Sequence, residues 1–158
     1  MLKRLLLVIP LALFATAALS QDNTGWVTQC QPDLCTLSRG LAEEGTGKQM
    51  ATLLVAVPKA SEDLRFGLAL PLGLALAPGA RVVYADKSVD IPFEVCFPDG
   101  CRAMMPFADA DFAALAANAA IDVQFFPYSA SAPVALTAPV DGLAEAVAAA
   151  KETLASQP

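Results

Sequence analysis

From Leu64 to Leu76 every second residue is large and apolar: Leu64, Phe66, Leu68, Leu70, Leu72, Leu74 and Leu76. Between them stand Arg65, Gly67, Ala69, Pro71, Gly73 and Ala75. A period of two puts all the bulk on one face of an extended chain. Pro71 and Gly73 do not suit the middle of one unbroken strand, so a bend is predicted near 71–73. The same reading places strands at 25–30 (GWVTQC), 35–39 (CTLSR), 50–57 (MATLLVAV, closed by Pro58) and 81–85 (RVVYA). Further strands are expected at 91–97, 101–105, 121–126 and 134–137. In 91–97, Ile91, Phe93, Val95 and Phe97 share one face, with Glu94 and Cys96 on the other.

The period changes to 3.6 in two places. Phe112, Leu115 and Ala116 predict a short helix near 109–118, with Asp109 as its cap. Leu143, Ala146, Val147, Ala150 and Leu154 form one stripe on a final helix over 141–156. An amphipathic terminal helix needs a surface for its stripe, and the small side chains of Gly67, Ala69, Gly73 and Ala75 leave room for one, so the helix is expected there; the alternative is that this face stays open as a partner site. Together these elements predict an all-β fold, a β-sandwich of about eight short antiparallel strands edged by the two helices. The strands lack the apolar-out, polar-in alternation of an outer-membrane barrel.

Residues 1–20, MLKRLLLVIPLALFATAALS, follow a different logic. Lys3 and Arg4 lead an apolar run of about fifteen residues, and Ala18 and Ser20 place small residues at −3 and −1 of a cut before Gln21. That is the pattern of a secretory signal peptide; a spanning helix needs about twenty apolar residues. Residues 21–158 are then expected to form a single exported domain, in the periplasm or at the cell surface, with no transmembrane span after cleavage. Without Lys3 and Arg4 the chain holds eight basic residues against sixteen acidic ones. Such a surface repels phosphate backbones, so nucleic acid is not an expected partner. Histidine is absent, which removes Ser-His-Asp and Cys-His catalysis and the zinc sites that need imidazole.

An exported chain with an even number of cysteines is read as disulfide-bonded. The four sit in two near-copies of one hexapeptide, CQPDLC (Cys30 to Cys35) and CFPDGC (Cys96 to Cys101). Four cysteines allow three connectivities. Pro-Asp in the middle of a four-residue loop suits a hairpin turn, and residues flanking such a loop lie within disulfide reach. The expectation is therefore Cys30–Cys35 and Cys96–Cys101, each clipping a hairpin. In the first hairpin Thr28 should oppose Leu37, and Trp26, a core anchor, should oppose Arg39. The second clip, opposite an apolar stripe, is expected to be the more exposed. A thiol-redox role for either pair is the alternative, but oxidoreductases use two intervening residues and a helix start. Zinc knuckles usually have two to four intervening residues, so the spacing lies at the edge of that range, and no metal or cofactor is expected. For acid–base chemistry the candidates are Glu94, Asp99, Asp109 and Asp111. Asp99 reads equally as a turn residue, Asp109 as a cap and Asp111 as a first-turn charge.

The segments GWVTQCQ with CTL behind it, LALPLGLAL, VDIPFEVCFPDGC and APVDGLAEAVAAA stand in an order that resembles the invasion-associated locus B family. The resemblance spans nearly the whole of 21–158 and is most specific in the Pro-Leu-Gly segment and PFEVCFPDGC. It implies a small, exported, β-rich envelope protein of alphaproteobacteria. The family takes its name from an association with entry into host cells. It implies no catalytic residues, a structural role for the four cysteines, and an unknown protein partner in the envelope or on a host surface. A non-enzymatic interaction module is the function expected on that basis.

Overall fold

A computed structural model describes residues 25–43, 45–61 and 63–157; the leader expected over 1–20 lies outside them. Ten strands and two helices follow in the order β1 (Val27–Gln31), β2 (Leu34–Ala42), β3 (Gln49–Pro58), β4 (Leu64–Leu70), β5 (Ala80–Tyr84), β6 (Lys87–Ile91), β7 (Phe93–Phe97), β8 (Gly100–Phe107), α1 (Asp109–Ala116), β9 (Ala120–Phe125), β10 (Val134–Pro139) and α2 (Leu143–Ser156). They form a β-sandwich. One sheet has six strands in the order β1-β2-β3-β4-β8-β7, and the other four in the order β10-β9-β5-β6. Every pairing of named strands is antiparallel.

Alternation explains the core. In the six-stranded sheet, Leu37, Val55 and Phe66 align across β2, β3 and β4, and all three are fully buried. Ser38, Leu54, Gly67 and Met104 form the adjacent row and face the other way. Val82, Tyr84, Ile91, Val123 and Phe125 supply the inner face of the four-stranded sheet, in one cluster with the first set. The bend after Leu70 is present: β4 stops before Pro71, and Leu72 and Leu76 are exposed while Leu74 is buried. Past the bend, Leu74 bridges to Pro127.

Three expectations are corrected. The strand read over 91–97 is two strands in different sheets, because Pro92 stands where the chain leaves β6 for β7. The residue at the N-cap of α1 is Ala108, with no side-chain cap, and Asp109 is the first helical residue. The third correction concerns α2, which packs against β1, β2, β3 and α1. The Cys35 Sγ lies 3.6 Å from the Ala150 carbonyl oxygen, so the helix sits on the bulky, inner face of the sheet. The small-residue row is on the outside. Gly67 is buried there by its own neighbours: a β-carbon would overlap the Ala103 carbonyl oxygen and lie 2.7 Å from Met104 Cγ.

Two contacts fix the entry to α2. The Trp26 indole donates to the Asp141 carbonyl oxygen at 3.1 Å, and Arg39 donates to the Asp141 carboxylate at 3.0 Å. Arg39 also lies over the Trp26 ring, 5.9 Å from its centroid. Trp26 is fully buried. The start of β1 is thereby tied to the start of the last helix.

Gly67→Ala should therefore destabilise the protein by about 3 kcal/mol, the upper end of ordinary overpacking, because the clash is with backbone rather than with a yielding side chain. Ala69→Leu, on the same outer row but half-buried, should change stability by less than about 1 kcal/mol. Paired urea melts of the two variants check this, and equal losses would contradict the assignment of the faces.

Candidate functional site

The chemistry-bearing residues lie at three places on this frame: the two clipped turns, a set of ion pairs, and an apolar edge. In the structure Cys30 is joined to Cys35 and Cys96 to Cys101, with Cα separations of 4.0 and 3.9 Å. Each pair occupies directly opposed positions beside its turn, Cys30 against Cys35 in β1–β2 and Cys96 against Cys101 in β7–β8. Thr28 opposes Leu37 in the first hairpin. Gly100, in the second turn, has φ +140°, and a side chain there would run into the Leu70 carbonyl oxygen.

The second clip is not the more exposed one. Each bridge has one exposed cysteine, Cys30 or Cys96, and one buried one, Cys35 at 0 % or Cys101 at 2 %. The reason is a bulge in β7. Phe93 opposes Ala103 whereas Val95 opposes Arg102, so Glu94 is an extra residue. Without it Phe93 and Val95 would share a face; with it they point to opposite faces. Phe93 packs against the core. Val95 and Phe97 turn to the outer face, 42 % and 50 % exposed, while Cys96, itself still exposed at the sheet edge, lies on the opposite face against Cys101. Sequence periodicity alone missed this. Pro92 and the single acidic residue inside an apolar run were its only signals.

The four candidate carboxylates do not converge on one point. Glu94 pairs with Arg65, Asp99 with Arg102 at 2.6 Å, Asp109 with Lys151 at 3.8 Å, and Asp111 with Lys87 at 2.6 Å. Each therefore has a cation of its own and is 46–67 % exposed, where such pairs contribute little to stability. Among the described residues no three Cys, Asp or Glu side chains gather as a metal site would require.

The apolar edge is the feature with binding character. Strand β7 is an edge of its sheet, so one side of its backbone has no partner strand. Val95 and Phe97 stand on its outer face, with the Arg102 guanidinium 5.9 Å from the Phe97 ring centroid. Leu72, also exposed, follows two residues after Leu70, which pairs with Cys101. Aromatic, aliphatic and arginine side chains beside a free strand edge are suited to an extended peptide or a partner's edge strand.

The family model described as invasion associated locus B (IalB) protein matches residues 14–151. The chain belongs to that family. Invasion protein B homologs from two Brucella abortus strains are 27 % identical to it over 136 residues, covering 83 % of this chain and 78 % of theirs. The crystal structure of invasion associated protein B from Bartonella henselae superposes with a TM-score of 0.75 at 17 % identity, covering 88 % of this chain and 100 % of that one. The last comparison concerns fold alone, and it agrees with the sandwich described above. The Brucella homologs are named as invasion proteins rather than enzymes. Among the described residues of this IalB-family chain, no helix is long and apolar enough to cross a membrane.

The geometry ranks the clips. Replacing Cys96 and Cys101 together by Ser releases a short loop at a sheet edge and should cost about 2 kcal/mol. The same change at Cys30 and Cys35 should cost more, because Cys35 also lies under α2. Denaturant midpoints of the two double variants give the order. Non-reducing peptide mapping should join Cys30 to Cys35 and Cys96 to Cys101, and any link between the two hexapeptides would refute the hairpin clips.

Proposed function

We propose that this IalB-family chain is an exported, non-enzymatic envelope protein that works as a protein-interaction module, in the periplasm or at the cell surface. The observation that carries it is the outward placement of Val95 and Phe97 on the free edge strand β7. An unpaired edge with exposed apolar side chains is an aggregation liability that proteins usually blunt with charge or cover. Here the bulge at Glu94 turns two large apolar residues into water. Contact with another protein explains that arrangement.

Several observations support the remainder of the proposal. The leader pattern of residues 1–20 and the paired cysteines fit export into an oxidising compartment. The carboxylates are dispersed among separate cations, which gives acid–base catalysis no pair of groups to work with. A thiol-redox role is disfavoured by the setting of the cysteines at strand ends beside hairpin turns, where no helix start lowers a thiol pKa. The names of the Brucella and Bartonella relatives make a partner on a host surface one form of the proposal.

The test is a photo-crosslinking residue placed at 97 and, as a control, at 122, where Asp122 lies exposed on the other sheet. In intact envelopes or during host contact, position 97 should give one dominant adduct and position 122 none. Phe97→Glu should abolish the capture of that partner seen with the unsubstituted protein and leave the melting temperature within about 2 °C, since the side chain is half in water. Equal adducts from both positions, or capture untouched by Phe97→Glu, would refute the assignment of this edge.

A further inference from the structure

The backbone of β7 adds a second observation to its exposed side chains. Opposed residues of an antiparallel pair lie about 5.5 Å apart at Cα where they exchange hydrogen bonds, and about 4.5 Å where they do not. Cys96 and Cys101 are 3.9 Å apart, so they form a non-hydrogen-bonded pair. The N–H and C=O of Cys96 therefore point away from β8, into the open edge of the sheet. Its neighbours Val95 and Phe97 turn their own N–H and C=O toward β8 and their side chains to the outer face. Pro98 follows with no N–H to offer, so the free edge is centred on Cys96.

That edge is self-complementary. A two-fold axis normal to the sheet at Cys96 sets it against the partner's Cys96, and the pair exchanges two hydrogen bonds. The same axis sets Phe97 against the partner's Val95, and Val95 against the partner's Phe97, with all four side chains on one face. An aromatic opposite a β-branched residue is a favourable cross-strand pair. An axis at Val95 would instead oppose Phe97 to the partner's Phe93, which the Glu94 bulge turns toward the core. It would also bring together N–H groups already committed to β8. Charge permits the contact, because Glu94 is paired with Arg65 and Asp99 with Arg102 inside each protomer. Two copies therefore bring no unpaired like charge of β7 or its turn together, while a strongly basic or acidic partner would find no free counter-charge there.

We infer that β7 is the interface of a homodimer, in which two copies join β7 to β7 about a two-fold axis at Cys96. The inference rests on the reading of this edge as a contact surface and names the partner as a second copy of this chain. Such an interface uses the same strand on both copies, so growth through it stops at two. That closes the edge that would otherwise invite open-ended pairing. Its core is four side chains and a short backbone pairing, which belongs with small, transient interfaces below about 1,200 Å². Dimerisation is therefore expected with a Kd of about 100 μM.

Sedimentation velocity of the purified protein should show monomer at about 5 μM and a mass approaching twice that at about 500 μM. Over that range hydrogen exchange at the Cys96 amide should slow about threefold, and the amides of Val95 and Phe97 should not change. Val95→Lys and Phe97→Glu should each remain folded and monomeric at the higher concentration, since both sites are about half in water. Mixed in equal amounts, the two variants should dimerise again, because the new ammonium then stands opposite the new carboxylate. Monomer at both concentrations, dimers that survive either substitution, or a mixture that stays monomeric would overturn the inference. The photo-crosslinker at 97 separates it from the broader reading. An adduct of twice the chain mass supports the homodimer; one dominant adduct of any other mass overturns it and leaves the edge a contact surface; no adduct overturns both.

Discussion

A four-stranded sheet cannot cover a six-stranded one, and most of this structure follows from that mismatch. At about 4.8 Å per strand, the two extra strands leave a strip of inner face about 10 Å wide. That is the diameter of one α-helix with its side chains. Helix α2 fills the strip, over β1, β2 and β3, while the smaller sheet completes the rest of the core. Its stripe of Leu143, Ala146, Val147, Ala150 and Leu154 is buried throughout. Ala150 is buried with its carbonyl oxygen 3.6 Å from the Cys35 sulfur, and a larger residue there would lift the helix from the strand pair. The Trp26–Arg39–Asp141 contacts hold the helix start against the beginning of β1, so the two ends of the described chain close the same strip.

Because the helix is committed to the inner face, nothing comparable among the described residues covers the outer face of the six-stranded sheet. Its rows are low in relief: Thr36, Ala56 and Arg65, then Ser38, Leu54, Gly67 and Met104, then Gly40, Thr52, Ala69 and Arg102. Small and polar residues suit a surface that stays in water. The exception comes at the edge, where the extra residue Glu94 reverses the alternation and sends Val95 and Phe97 outward. The turn at 98–99 sets Cys96 opposite Cys101, and the bulge decides which face of the sheet that pair occupies relative to Phe93. The bridge then holds β7 in the register that keeps those two side chains exposed.

The sequence made part of this legible, and the boundary has a physical meaning. Local geometry was readable: Pro-Asp flanked by cysteines marks a turn whatever the tertiary context, and Pro71 and Gly73 break a strand wherever it lies. The inward face of the leucine run and the stripe on the last helix were readable from period alone. Two residues, Pro92 and Glu94, defeated the reading of 91–97, because period two assumes a continuous ladder and cannot register a change of sheet or a bulge. The docking side of α2 was not readable either. Both faces of β4 could receive a helix, and the choice depends on the width of a second sheet built from distant strands.

The comparison with the Bartonella structure bears on where specificity resides. A TM-score of 0.75 at 17 % identity means that the sandwich tolerates replacement of most of its side chains. A frame that permissive cannot itself dictate a partner, so recognition must lie in particular residues carried on it. Inner-face positions are held by packing and have little freedom to vary with a partner. On this chain six of the eight basic residues after residue 20 are engaged with carboxylates. Charge is therefore spent largely in local pairs, and the exposed apolar groups remain as the surface feature least explained by folding. Val95 and Phe97 combine that exposure with an unpaired backbone and a covalent clip holding their register. Other large apolar side chains are exposed as well, Tyr128, Leu72 and Leu76 among them, but they do not stand on a named strand with a free edge.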